Sequence, residues 1–146
     1  MSDAEREWAS GAITDALISL DVFKKSRRPF VFMSAEGEPD TEALIGLFLA
    51  MEREVSVPRV RGDAMDAVRI TPYTDFKRNR WGIYEPVKGM TASECDLAVV
   101  PVVAFDGLKR AGHGKGYYVP LDFMITEKEI ITADNAAVYN VFGEEP

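Results

Sequence analysis

The chain has 146 residues, enough for one domain (1–146) that buries about two thirds of its unfolded surface. With 24 acids against 17 bases, a formal charge of −7, a general nucleic-acid or membrane surface is excluded, and a local basic cluster points to a small anionic ligand. The single cysteine, Cys95, rules out an internal disulfide, fits the cytoplasm and reads as structural.

The first eight residues, MSDAEREW, carry no basic n-region or apolar h-region, so no secretory signal is expected. Residues 3–20 then read as an amphipathic helix. Ser2 or Asp3 caps it, and Trp8, Ile13, Ala16, Leu17 and Leu20 recur at helical spacing. KKSRRP (24–29) is a basic connector, read as a solvated loop or a weak anion site. FVFM (30–33), bounded by Pro29 and Ser34, suits a buried strand. SAEGEPD is a turn in which Asp40 or Glu38 starts a helix to about Met51, with Leu44, Ile45, Leu47, Phe48 and Met51 on its inner face.

EVSVPRV (54–60) and DAVRIT (66–71) are strand-like, the second with Ala67, Arg69 and Thr71 alternating against Val68 and Ile70. DFKRNRWGIYEPV (75–87) reads as irregular. CDLAVVPVVAF (95–105) is the strongest buried strand, yet, like LIGLFLAM, it is too short to span a bilayer. LDFMIT (121–126) is another predicted strand, EKEII extends it or returns from it, and AAVYNVF is an ambiguous ending. Strand, helix, strand followed by a near-continuous apolar strand predicts an α/β sheet covered on both faces. Ligands collect at the carboxyl ends of the strands in such sheets.

One of those ends runs into GLKRAGHGKGYYVP (107–120). Glycines free the backbone to turn its N–H groups inward as an anion-binding concavity, and Lys and Arg add charge. RAGHGKG matches neither the G-x-x-x-x-G-K-[ST] loop nor the G-x-G-x-x-G fingerprint, so spacing alone leaves a phosphate site and a mobile basic turn both open. His113, the only histidine, is placed for ligand contact rather than for metal. Tyr117 and Tyr118 are either ligand contacts or packing anchors.

RAGHGKGYY resembles the glycine-rich signature of the 5-formyltetrahydrofolate cyclo-ligases, also called methenyltetrahydrofolate synthetases. FMSAEGEPDTEALI (32–45), VSVPRV (55–60), MDAVRI (65–70), RWGIYEPV (80–87) and DLAVVPVVAFD (96–106) are similar to the family's segments in the family's order, so the resemblance covers most of residues 10–126. It implies a three-layer α/β sandwich with a mostly parallel sheet of the NagB/RpiA/CoA-transferase-like type. It also implies a cytoplasmic enzyme of one-carbon metabolism that uses ATP and Mg2+. In that chemistry ATP phosphorylates the formyl oxygen of the reduced folate, N10 attacks the activated carbon, and phosphate leaves.

On the same resemblance, Arg110, Ala111, Gly112, His113, Gly114, Lys115, Gly116, Tyr117 and Tyr118 match the ATP-binding loop, with Lys115 and His113 as the catalytic pair. His113, Gly114, Lys115, Gly116 and Tyr117 also match its substrate-contacting portion. Glu38 matches the acid that contacts the folate, Met33 the apolar position before that turn, and Trp81 the aromatic on the pteridine side. Glu38 as a helix cap and Trp81 as core filling are the structural alternatives.

The chain departs from the family pattern at Val119-Pro120, where the family has a magnesium-binding aspartate at the start of a helix. Pro120 removes an N–H and pushes Val119 to extended angles, so no helix is expected there. The sequence passes directly to LDFMITEKEI, as though a helix, a strand and a second metal-binding aspartate near the C-terminus were missing; Asp122 matches a later aspartate. Val102 stands where a glycine is usual, and the N-terminus reads as shortened, without the basic segment that in the family reaches the nucleotide. No metal ligand is therefore assigned. A catalytically inactive relative that binds folate, nucleotide or a partner chain is the second reading, and a shortened sheet implies homo-oligomerisation as a way to cover an edge.

Overall fold

The computed structural model describes residues 2–35, 38, 40–101, 104–106, 109–111, 130–133 and 136–140, the strands from 101 onward by their backbone. Helix α1 (Asp3–Ile18) starts at Ser2, whose side chain accepts the Glu5 N–H at 3.1 Å, with Asp3 and Glu5 at the positive helix end. Its apolar stripe is narrower than expected. Ile13 and Leu17 are buried, whereas Trp8 is 74% exposed, because the helix lies over the core only along its later turns. A short α2 (Asp21–Lys25) buries Val22 and Phe23 and leads into β1 (Pro29–Val31).

α3 (Glu42–Ala50) carries the chain from β1 to its parallel neighbour β2 (Ser56–Arg61), a crossover that parallel pairing requires. Leu44, Ile45 and Phe48 face inward, but Leu47 sits at the border of the buried stripe, 36% exposed. β3 (Ala64–Arg69) returns antiparallel through a two-residue turn at Gly62-Asp63, where Gly62 takes φ +61. The alternation read in 66–71 holds for Val68 and Ile70, buried, against Arg69 and Thr71, exposed; Ala67 departs from it and is buried too.

β4 (Phe76–Arg78) and β5 (Tyr84–Pro86) form an antiparallel hairpin where the sequence reads as irregular. The apolar run 95–105 divides. β6 (Leu97–Pro101) stays in the main sheet, while β7 (Ala104–Asp106) pairs with β8 (Lys109–Ala111) in a separate ribbon. β9 (Ile130–Ala133) and β10 (Ala136–Asn140) complete the sheet, which resolves the ambiguous ending as strand. The predicted strand 121–126 lies outside the described residues.

The six-stranded sheet has the order β3-β2-β1-β6-β10-β9. β2, β1 and β6 are parallel; β10 opposes β6, and β9 opposes β10, so β9 also runs with the central three. Four of the six described strands thus share one direction, as the α/β reading expected.

Val31, Val57, Leu97 and Val99 join Ile13, Leu17, Val22, Phe23, Leu44 and Phe48 in one apolar cluster. Phe23 and Phe48 stack in it with ring centroids 4.4 Å apart. Phe30, Ala98 and Val100, alternating with that face, are also fully buried, so both faces of the sheet centre are covered. No described helix is long and apolar enough to cross a membrane.

Candidate functional site

The carboxyl end of β1 opens into the turn that carries Met33 and Glu38. Phe32 N–H still bonds Val99 O on β6 at 3.0 Å, after which the chain leaves the sheet. The buried Thr41 hydroxyl donates to Phe32 O at 2.7 Å, and Ser34 Oγ accepts Thr41 N–H at 3.1 Å, so the start of α3 is fastened to the strand it follows. Glu38 closes the turn on itself: its Oε1 accepts Ala35 N–H at 2.7 Å, and its N–H bonds Ala35 O at 3.1 Å.

The N-cap of α3 is Thr41, and the carboxylate that serves its first turn is Asp40, not Glu38. Asp40 Oδ1 accepts Glu42 N–H at 2.9 Å. Met33 packs at the margin of the core. The rest of the turn, Glu36, Gly37 and Pro39, lies outside the described residues.

Two residues of α1 hold this turn from outside, and sequence reading assigned them nothing. Arg6 Nε donates to Glu38 O at 2.7 Å, and Ser10 Oγ accepts Asp40 N–H at 2.7 Å. They border a groove of about 690 Å³ between α1 and α3, lined also by Asp3, Glu7, Asp15 and Glu42. Its carboxylates repel phosphate oxygens, so the groove is not a place for a nucleotide's charge.

The β4–β5 hairpin presents Trp81. Asn79 Oδ1 accepts N–H groups from Trp81 (2.9 Å) and Ile83 (3.0 Å); Asn79 N–H bonds Ile83 O, and Gly82 N–H bonds Asn79 O. Gly82 takes φ +79, which a side chain would oppose. Trp81 is 41% exposed, with the Arg80 guanidinium 4.2 Å from its ring centroid, and so is not core filling. Arg78 lies over Tyr84 in the same way, at 4.9 Å. On the inner side of the hairpin the buried Glu85 accepts Val60 N–H at 2.7 Å, next to the carboxyl end of β2. There Arg61, hydrogen-bonded to Asp66, has its pKa raised further above the ordinary guanidinium value.

The third segment leaves from β6. Arg110 and Ala111 of the glycine-rich stretch lie on β8, with Arg110 opposite Phe105 and Ala111 opposite Ala104, so the stretch begins as strand and not as loop. Gly112, His113, Gly114, Lys115, Gly116, Tyr117 and Tyr118 lie outside the described residues. The structure therefore sets the Met33–Glu38 turn, the Trp81 hairpin and the ribbon leading to Gly112 beyond the same ends of three adjacent strands, β1, β2 and β6.

The basic connector KKSRRP belongs to the opposite end, where its charges are matched. Asp96 accepts Ser26 Oγ (2.7 Å), Arg27 N–H (2.7 Å) and Arg28 N–H (3.1 Å). The Arg28 guanidinium bonds Glu54 at 2.8 Å and also pairs with Glu94. The hydrogen bond to Arg28, with the charge of Arg69, holds the Glu54 carboxyl below its usual value, and Arg28 is raised in return. Cys95 lines the same cleft of about 590 Å³; burial, then the charges of Asp96 and Glu94, pushes its thiol up to about 12. A protonated, buried thiol is inert, as a structural cysteine should be. Among the described residues no group of three or more His, Cys, Asp or Glu side chains is gathered to hold a metal ion.

The sequence profile described as the 5-formyltetrahydrofolate cyclo-ligase family matches residues 1–145. A Caenorhabditis elegans protein named "Probable 5-formyltetrahydrofolate cyclo-ligase" is 37% identical over 131 residues, covering 81% of this chain and 63% of that protein. The Mus musculus 5-formyltetrahydrofolate cyclo-ligase is 29% identical over 130 residues, covering 81% and 64%. The chain thus spans just under two thirds of the length of these curated relatives. Among solved structures, Aquifex aeolicus 5,10-methenyltetrahydrofolate synthetase superposes with a TM-score of 0.71 at 34% identity, over 86% of this chain and 66% of that one. The Mycoplasma pneumoniae 5,10-methenyltetrahydrofolate synthetase, at 17% identity and a TM-score of 0.65 over 88% and 72%, shares the fold.

Proposed function

The chain belongs to the 5-formyltetrahydrofolate cyclo-ligase family, and from that premise we propose that it catalyses the ATP-dependent cyclisation of 5-formyltetrahydrofolate to 5,10-methenyltetrahydrofolate. The observation that supports this most directly is the gathering of the Glu38 turn and the exposed Trp81 hairpin beyond the carboxyl ends of β1 and β2, the end where α/β sheets bind ligands. Trp81 offers a ring face to a flat pterin, and Glu38 offers a carboxylate to its N–H groups.

We assign the triphosphate to Arg110, which lies on the ribbon β7–β8, and to the glycines after it in sequence, because cations and backbone N–H groups suit its charge. In the reaction the formyl oxygen attacks the γ-phosphorus and ADP leaves. N10 then adds to the activated carbon, and loss of phosphate forms the methenyl bridge. Lys115 and His113 are assigned to charge developing on the transferred phosphoryl group. Mg2+ would enter with the nucleotide, partly neutralising its phosphates. A single cytoplasmic domain acting on a reduced folate is part of the same reading.

Incubation with 5-formyltetrahydrofolate and Mg-ATP should yield the methenyl product, and Lys115→Ala should lower kcat/KM by about 10²- to 10³-fold. The Val119-Pro120 pair favours a second reading, a folate-binding relative without turnover. Calorimetric binding of 5-formyltetrahydrofolate with no product at high protein concentration would select it.

A further inference from the structure

Glu85 is a buried carboxylate, 6% exposed, that no part of the proposed reaction uses. Burying a charged group is unfavourable, and a single backbone hydrogen bond does not by itself explain its presence in a core. Its place does. β1 pairs with β2 only at Phe30↔Ser56, so farther along β2 no described strand pairs with that edge. Val60 N–H lies on this stretch and donates to Glu85 Oε2 at 2.7 Å, a short, charge-assisted bond across 25 residues of sequence.

The hairpin that Glu85 belongs to needs such a tie. It has only three paired positions, one of them Pro86, which has no N–H to give, and two-stranded ribbons of this size are not stable alone in water. Phe76 packs β4 against the core; Glu85 does the same for β5 against β2. Because the Asn79 side chain closes the turn from Asn79 to Ile83, a shift of β5 carries Trp81 with it.

We infer that Glu85 is a positioning residue: by holding β5 to Val60 at the end of β2 it sets where the Trp81 ring stands, and so controls affinity for the reduced folate. This rests on the cyclo-ligase reading for the ligand, but not for the geometry.

Reach and charge can be separated. Glu85→Gln keeps an acceptor oxygen at the same distance, whereas Glu85→Asp keeps the charge and withdraws it by one methylene. Trp8→Phe, at an exposed position, leaves Trp81 as the only tryptophan and makes its emission a reporter of the hairpin. In that background Glu85→Asp should red-shift Trp81 emission, lower its anisotropy and raise the KM or Kd for 5-formyltetrahydrofolate about ten- to hundredfold. The KM for ATP and kcat should hold, and Glu85→Gln should stay within about threefold of the parent on every readout.

Parent-like behaviour of Glu85→Asp, or a loss in Glu85→Gln equal to or greater than that in Glu85→Asp, overturns the inference. If the parent binds no folate, the cyclo-ligase reading fails instead, and ligand-free emission and anisotropy still decide the role of Glu85.

Discussion

The two ends of the parallel strands carry similar residues and use them differently. At the amino end Arg28, Glu54, Glu94 and Asp96 bind one another and the backbone, and Cys95 is sealed beneath them. At the carboxyl end the polar groups order backbone: Glu38 at Ala35 and Asn79 at Trp81 in turns, Glu85 at Val60 on β2. That leaves an aromatic face exposed beside Arg80. Density of charge does not mark a ligand site. What marks one is charge that orders backbone while leaving a surface for something else.

Cutting the amino-end knot is the strongest way to test this division. Asp96→Ala removes the acceptor of three donors, among them the fully buried Ser26 hydroxyl, and should cost about 3 kcal/mol by denaturant unfolding while leaving the emission of Trp81 unchanged. A change at Trp81 would show that the two ends are coupled.

Gly89 lies where the chain passes from the hairpin toward that knot, with Met90 O accepting Arg69 N–H and Ala92 N–H bonding Ala67 O along the outer edge of β3. A Cβ on Gly89 would stand 2.6 Å from Val68 Cγ1 and 2.7 Å from Arg69 O, at φ +154. Gly89→Ala should therefore cost about 2 kcal/mol by the same assay.

The smallest effect concerns pH. Glu54 has its folded pKa below the ordinary carboxylate value of 4.5, so its contribution is present above that value and fades as pH falls through the depressed one. Glu54→Gln should flatten the decline of the urea midpoint below pH 4.5, and salt should shrink the difference between the two proteins, since the pair lies in solvent.

Several features were legible along the chain because their causes are local. FVFM and LAVVP are continuous apolar runs at two central strands; LAVVP is β6, and the first half of FVFM lies in β1, which ends at Val31. Ser2 capping α1, and Asp40 accepting the first N–H of α3 from the position before its cap, follow from side chains that reach their own backbone two or three residues on. The helical period also identified Ile13, Leu17, Leu44 and Phe48, but it misplaced Trp8 and Leu47. Periodicity gives the direction of a stripe and not how much of it a neighbour covers. The glycine stretch left a phosphate site and a basic turn both open, and its residues Lys109–Ala111 form the strand β8, because pairing with β7 has no signature in a segment so short.

The sequence by itself determined the family, the α/β alternation, the apolar strands at the centre and the three motif segments, all written in residue type and spacing within a few positions. Only the tertiary structure decided which charges meet. KKSRR looks like an anion site until Glu54, Glu94 and Asp96 arrive from 26 to 70 residues away. RWGIYEP looks irregular until Glu85 finds Val60. Partners so distant are brought together by burial of the sheet, and no local pattern encodes the distance between them.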